Sequence, residues 1–153
     1  KFPEKVNLRQ VVDILLDENK MRISEENVQV IVSGPQDVQI RSNQSQFRMA
    51  MNNILLNSLD AFKEQKKPQI SIAWQRTEHH ILLTFKDNGK GIESENLSRI
   101  FEPFFSTKTE MGGTGLGLAM TKRVIEIYDG EIQVSSSPQN GTTFEIKLQE
   151  HLA

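Results

Sequence analysis

Gly112-Gly113-Thr114-Gly115-Leu116-Gly117-Leu118 sets four glycines within six residues and runs straight into an apolar-periodic stretch. Leu116, Met120, Val124 and Ile127 recur at helical spacing, which predicts a helix over Leu116 to Tyr128 with those four inward and Gly130 ending it. A helix N-terminus offers free N–H groups and partial positive charge to an anion, and glycines clear the way for phosphate oxygens. Leucines interleaved with glycine do not suit a flexible linker. No Gly-Lys-Ser/Thr follows, so the stretch is not a P-loop, and the pattern is not G-x-G-x-x-G after a strand, which disfavours the dinucleotide fold.

Upstream, Asp87-Asn88-Gly89-Lys90-Gly91 directly follows an alternating strand through Ile81, Leu83 and Phe85. An Asn-Gly hairpin turn is one reading. The second glycine, followed by Ile92 rather than a partner strand, favours another, in which the backbone approaches a flat ring and the strand-end carboxylate accepts from an exocyclic amine. Between the two glycine stretches, Phe101-Glu102-Pro103-Phe104-Phe105 puts three aromatics in five residues ahead of Ser106-Thr107-Lys108. A loop this apolar docks on something, either as a plug anchoring a long loop or also as the hinge of a lid over a nucleotide. Lys108 then reaches a phosphate as a point charge, although an isolated loop lysine is more simply solvated.

The stretch from Asn43 to about Gln65 reads as a helix. At about 100° per residue, Phe47, Met51, Ile54, Leu55, Ser58 and Phe62 share a core arc, while Asn53, Asn57 and Asp60 form a stripe opposite. A side-chain amide oxygen is a neutral hard ligand suited to Mg²⁺, which keeps waters and bridges phosphates. The plainer reading of that stripe, taken alone, is a solvated polar face.

The rest of the chain frames these stretches. Asn7 caps a helix carrying Leu8, Val11, Val12, Leu15 and Leu16. Val28, Val30 and Val32 alternate, Gly34-Pro35 turns the chain, and Val38 and Ile40 alternate again, predicting a hairpin. Pro68 precedes a strand with Ile70, Ile72 and Trp74, and a polar turn near Thr77–His79 leads to the strand ending at Asp87. Asp87 to Gly113 reads as loop with one helical turn near Glu95–Ile100. Strands near Glu131–Ser135 and Thr142–Leu148 close the chain around a turn at Pro138–Gly141. About three helices and six strands predict an α/β two-layer sandwich, a mixed, mostly antiparallel sheet with the helices on one face.

The chain's 153 residues fit one domain, 1–153. A net charge of -2 gives no general attraction to nucleic acid or an anionic membrane. There is no cysteine, hence no disulfide framework or thiolate metal site. No apolar stretch approaches membrane-spanning length. Opening on Lys1 rather than Met points to a piece of a longer protein.

In this order, the stretches resemble the GHKL (Bergerat-fold) ATP-binding superfamily, specifically the catalytic domain of two-component histidine kinases. Asn53-Ile-Leu-Leu-Asn57-Ser-Leu-Asp60-Ala61 is similar to the N box, and Asp87 to Gly91 to the first glycine box. Phe101 to Phe105 is similar to the F box, Gly113-Thr-Gly-Leu-Gly-Leu118 to the second glycine box, and Gly141-Thr142-Thr-Phe144 to the closing strand motif. The resemblance covers nearly the whole chain.

It implies ATP and Mg²⁺ as cofactors. Asn57 would hold Mg²⁺, Asn53 would lie near the phosphates, and Asp87 would bind the adenine amino group, helped through water by Thr142. Gly89 and Gly91 would pass the base. A lid over Ser106–Gly112 would end on Gly113, Thr114, Gly115, Leu116 and Gly117 at the phosphates. Asp60, Ala61, Ile92, Phe105, Thr107, Lys108 and Leu118 complete the implied ATP contacts, with catalytic roles at Asn53, Asn57 and Lys108. Two departures stand out: Asp60 where many histidine kinases carry Lys, and Ser58 where Ala is usual. Phe104-Phe105-Ser106-Thr107-Lys108 resembles the nitrogen-regulation and sporulation kinase group.

Related ATPases, such as gyrase, MutL and the ninety-kilodalton heat-shock chaperone, carry a Glu one turn before the Mg²⁺-binding Asn as general base for water. Here that position is Asn53, whose amide cannot take a proton. Phosphoryl transfer needs mainly positioning and charge stabilisation, so an outside nucleophile is the expectation. It would be a histidine on a dimerisation domain, normally N-terminal in the same protein, which passes the phosphoryl group to a response-regulator aspartate. His79, His80 and His151, expected on the surface, lack the helical setting of such an acceptor. The resemblance further implies a monomeric isolated domain, a homodimeric parent, and a cytoplasmic location, free or anchored at the inner face of the membrane. A GHKL ATPase and an anti-sigma-type serine kinase are the alternatives.

Overall fold

Inward apolar alternation and helical periodicity sort the chain into two layers. The computed structural model describes residues 3–63, 65–105 and 117–152. In chain order these form β1 (Glu4–Asn7), α1 (Leu8–Glu18), α2 (Lys20–Glu25), β2 (Gln29–Ser33), β3 (Gln39–Ser42), α3 (Gln44–Asp60), β4 (Gln69–Arg76), β5 (Ile81–Asp87), α4 (Ser94–Leu97), α5 (Gly117–Ile127), β6 (Glu131–Ser136) and β7 (Thr142–Leu148). Five strands make the main sheet in the order β2-β4-β5-β7-β6, and β1 pairs with β3 in a separate ribbon. Every main-sheet pairing is antiparallel except β2 with β4. The expected two-layer, mostly antiparallel α/β architecture is what forms. Among the described residues there are five helices rather than about three: α4 is the helical turn expected near Glu95–Ile100, and short α2 is additional.

Period-2 alternation buries one sheet face. Ile70, Ile72 and Trp74 of β4, Ile81, Leu83 and Phe85 of β5, Ile132 of β6, and Phe144, Ile146 and Leu148 of β7 point inward. Against them pack Leu8, Val11, Val12 and Leu15 of α1, Phe47, Met51, Ile54, Leu55 and Leu59 of α3, and Val124 and Ile125 of α5. Each such side chain contributes about 1.5–3 kcal/mol on burial. Asparagines cap the first two long helices: the Asn7 carboxamide accepts from the Gln10 N–H at 2.9 Å and that of Asn43 from the Gln46 N–H at 3.0 Å.

Three expectations are corrected. The hairpin linking Val28–Val32 to Val38–Ile40 does not form. β2 joins β4 in parallel through a crossover containing α3, while β3 pairs with β1. The Gly34-Pro35 turn packs instead on Trp74, whose indole N–H donates to the Pro35 carbonyl at 2.7 Å, and a Cβ on Gly34 would lie 2.4 Å from that ring. The second helix stops at Asp60 rather than near Gln65, because the Ala61 carbonyl turns to accept from the Lys90 N–H at 3.0 Å. Finally, Ile127 is 53% exposed, whereas Val124 is buried as expected and Thr121 and Ile125 of α5 join it in the core. Leu116, expected inward, lies outside the described residues.

The N- and C-terminal segments meet on β3. β1 runs along one side, and beyond β7 the tail runs along the other, with the Arg41 N–H donating to the Gln149 carbonyl (3.0 Å) and the His151 N–H to the Gln39 carbonyl (2.7 Å). Glu4 of β1 also accepts from the Gln44 N–H at 2.7 Å, at the first turn of α3.

Candidate functional site

α3 meets the start of α5 at Asn53, and Ala61 at the end of α3 meets the loop after β5 at Gly89 and Lys90. On α3, Phe47, Met51, Ile54, Leu55 and Ser58 are buried, as is Phe62 just beyond its end, and Asn53, Asn57 and Asp60 are half-buried on the opposite stripe. The Asn53 carboxamide donates to the Gly117 carbonyl at 3.1 Å and lies 3.4 Å from the Thr121 hydroxyl. That hydroxyl in turn donates to the Gly117 carbonyl (2.8 Å) and approaches the Ala50 carbonyl (3.3 Å). Asn53 thereby binds α3 to α5 and keeps its amide oxygen as an acceptor. Asn57 follows one turn later on the same side. Asp60 is engaged differently: its carboxylate pairs with the Arg22 guanidinium of α2 at 2.8 Å, and Arg22 also holds Glu26 at 2.7 Å.

Asp87 closes β5 and is only 2% exposed. Its Oδ1 accepts from the Gly89 N–H at 2.9 Å, while Oδ2 is buried with no hydrogen-bond partner among the described residues. Burial pushes the carboxyl pKa up; the Gly89 N–H, the Ser58 hydroxyl and the Thr142 N–H pull it down without cancelling the rise. The Ser58 hydroxyl lies near the carboxylate but makes no hydrogen bond of normal geometry, so it too is a buried polar atom without a partner among the described residues. An orphaned buried acceptor is costly unless something outside the protein completes it. The exocyclic amine of an adenine fits that requirement.

Gly89 and Gly91 serve the protein's own backbone. A Cβ on Gly89 would lie 2.7 Å from that of Ala61, and one on Gly91, at φ +76°, would lie 1.9 Å from the Ser137 carbonyl oxygen. Asp87 stands opposite Thr142 in the β5–β7 register, so both side chains share the buried face. Gly141, just before, has φ +82°, and a Cβ there would lie 2.0 Å from the Asp87 carbonyl oxygen.

Ile92 and Leu118 are half-buried against the core. Phe101 packs edge-on to Phe144 with centroids 6.4 Å apart, and Phe105 lies under the Arg99 guanidinium at 4.6 Å. Phe104, by contrast, is 74% exposed. Thr107, Lys108, Gly113, Thr114, Gly115 and Leu116, with the rest of the expected lid, lie outside the described residues. Among the histidines, His79 is exposed at the β4–β5 turn, whereas His80 and His151 are half-buried rather than simply exposed, and none is helical.

Sequence reasoning passed over Thr121 and Ser136. Ser136 Oγ accepts from the Ile92 N–H (2.8 Å) and contacts the Gly141 carbonyl (2.8 Å) and Thr142 Oγ1 (2.9 Å). The alternation Ile132, Val134, Ser136 was the signal that it faces inward.

Residues 42–152 match the model of the family described as histidine kinase-, DNA gyrase B-, and HSP90-like ATPase. The signal transduction histidine-protein kinase AtoS of Escherichia coli (strain K12) is 37% identical over 109 residues, 71% of this chain and 17% of that protein. The chain spans between 17% and 24% of the first curated relatives it matches. The solved catalytic domain of histidine kinase ThkA superposes with a TM-score of 0.85 at 23% identity, covering 98% of this chain and 97% of that one. A structure of ThkA in complex with response regulator protein TrrA matches with a TM-score of 0.80 at 20% identity, covering 97% of this chain and 42% of that one.

Proposed function

Because the chain belongs to the histidine kinase-, DNA gyrase B-, and HSP90-like ATPase family, we propose that it binds MgATP between α3, the end of β5 and the start of α5, and that it delivers the γ-phosphoryl group to a histidine on a separate dimerisation domain. From there the group would pass to an aspartate of a response regulator. The observation that carries this reading is the buried Oδ2 of Asp87, which has no hydrogen-bond partner among the described residues and stands at the end of β5 opposite Thr142.

In this reading Asp87 accepts from the adenine amino group and Asn57 holds Mg²⁺, which neutralises phosphate charge when bound. Asn53 stands near the phosphates. Its amide is tied to Gly117 and has no basicity, so it activates no water. An imidazole from outside supplies the nucleophile: its nitrogen bonds to the γ-phosphorus, the bond to the ADP oxygen breaks, and the imidazole proton is released. The resemblance assigns Lys108 a phosphate contact from the lid. The parent would act as a homodimer and work in the cytoplasm, free or held at the membrane's inner face.

Incubating the purified domain in excess over γ-labelled MgATP, followed by rapid desalting, tests this reading. Intact ATP retained with protein is expected. Sustained release of phosphate that disappears in Asn57→Ala would move the function to an ATPase.

A further inference from the structure

We propose that Ser136 fixes Thr142 as a hydrogen-bond acceptor at the base-recognition corner, so that the site selects a 6-amino purine over a 6-oxo purine. The inference deepens the nucleotide-binding reading and rests on it.

A serine hydroxyl has one proton and two lone pairs. Ser136 Oγ meets three groups: the Ile92 N–H at 2.8 Å, the Gly141 carbonyl at 2.8 Å and Thr142 Oγ1 at 2.9 Å. An amide N–H only donates and a carbonyl only accepts. The Ser136 proton therefore goes to Gly141, and one lone pair takes the Ile92 proton. The remaining lone pair faces Thr142, which must be the donor in that contact. The single Thr142 proton is then spent inside the protein, and its hydroxyl offers only lone pairs to a ligand.

Thr142 stands opposite Asp87 in the sheet, on the same buried face. The corner thus presents the Thr142 lone pairs beside Asp87 Oδ2, which has no hydrogen-bond partner among the described residues. An exocyclic amine has two protons to give. A carbonyl in its position would meet acceptors alone, and unpaired buried polar groups are what let a site reject a near-isostere strongly. Ser136 is a positioning residue in this scheme, acting through Thr142. Its strand position is set by the Ser136↔Thr142 register between β6 and β7.

Equilibrium titration of the domain with ATP and with inosine triphosphate tests the inference. The parent is expected to favour ATP by at least about 100-fold. Ser136→Ala frees the Thr142 proton to turn toward a carbonyl, so the preference should shrink about tenfold, and Ser136→Thr, which keeps the hydroxyl, should restore it. Thr142→Val keeps the branched shape and should narrow the preference as well, which keeps the inference testable if Ser136→Ala does not fold. Equal weakening of both nucleotides in Ser136→Ala, or an unchanged ratio in Thr142→Val, overturns it and leaves the nucleotide site standing. A parent that binds neither nucleotide overturns both readings.

Discussion

Asp87 shows most directly how a single residue can serve function against stability. Burial raises its carboxyl pKa, so the folded state holds that proton more tightly than the unfolded chain does. Stability from this group therefore rises as pH falls through the raised folded value and levels off below the unfolded one, ~4. Asp87→Asn removes the buried charge. It is expected to melt no lower than the parent at neutral pH, to lose that advantage on acidification, and to bind adenine nucleotide at least about tenfold more weakly. Thermal melts across pH and a nucleotide titration check both halves. Gly141→Ala acts on the same residue from behind. It forces a Cβ against the Asp87 backbone at a positive φ, and a loss of about 3 kcal/mol in a urea titration is the expected outcome. The glycines were legible as sites of special backbone, but their purpose was not. Only the fold reveals that Ala61 and Ser137 occupy the space a Cβ would need, since neither is near Gly89 or Gly91 in sequence.

Among the elements, those whose side chains repeat with a clear period were legible before the fold was known. The core arc of α3 and the alternation of β4, β5 and β7 follow directly from residue spacing. The partner of β2 was not legible, because alternation fixes a strand's faces and says nothing about its neighbours. Gly34-Pro35 carries a turn signal that suits a hairpin equally well, and Trp74, 40 positions away, decides the matter. Short β1 and α2 offer too few residues for a period to emerge. The junction of α3 with α5 is likewise a product of tertiary contact, centred on the fully buried Thr121 hydroxyl. Thr121→Val keeps the shape and removes those hydrogen bonds. A loss of about 1–2 kcal/mol is expected, with looser hold on Asn53, measurable as a lower urea midpoint and weaker nucleotide binding.

For the whole molecule, the order of motifs along the chain announced the two-layer fold, and the strand order β2-β4-β5-β7-β6 realises it. The ribbon of β1, β3 and the tail was hidden, since the alternation of Val38 and Ile40 names no partner and β1 is too short to show a period. Deleting residues 149–153 removes the hydrogen bonds to Gln39 and Arg41. That truncation should cost about 1–2 kcal/mol and speed amide exchange at Arg41, while nucleotide affinity stays within twofold. The insertion of β7 between β5 and β6 has a consequence in time. A chain emerging from the ribosome completes β5 long before its neighbour exists, so Asp87 waits on an open strand edge while more than fifty further residues are made. β7, made later, both seals that edge and brings Thr142 to Asp87. A chain ended before Thr142 therefore lacks the proposed base-recognition corner, and nucleotide binding would report that synthesis has passed β7.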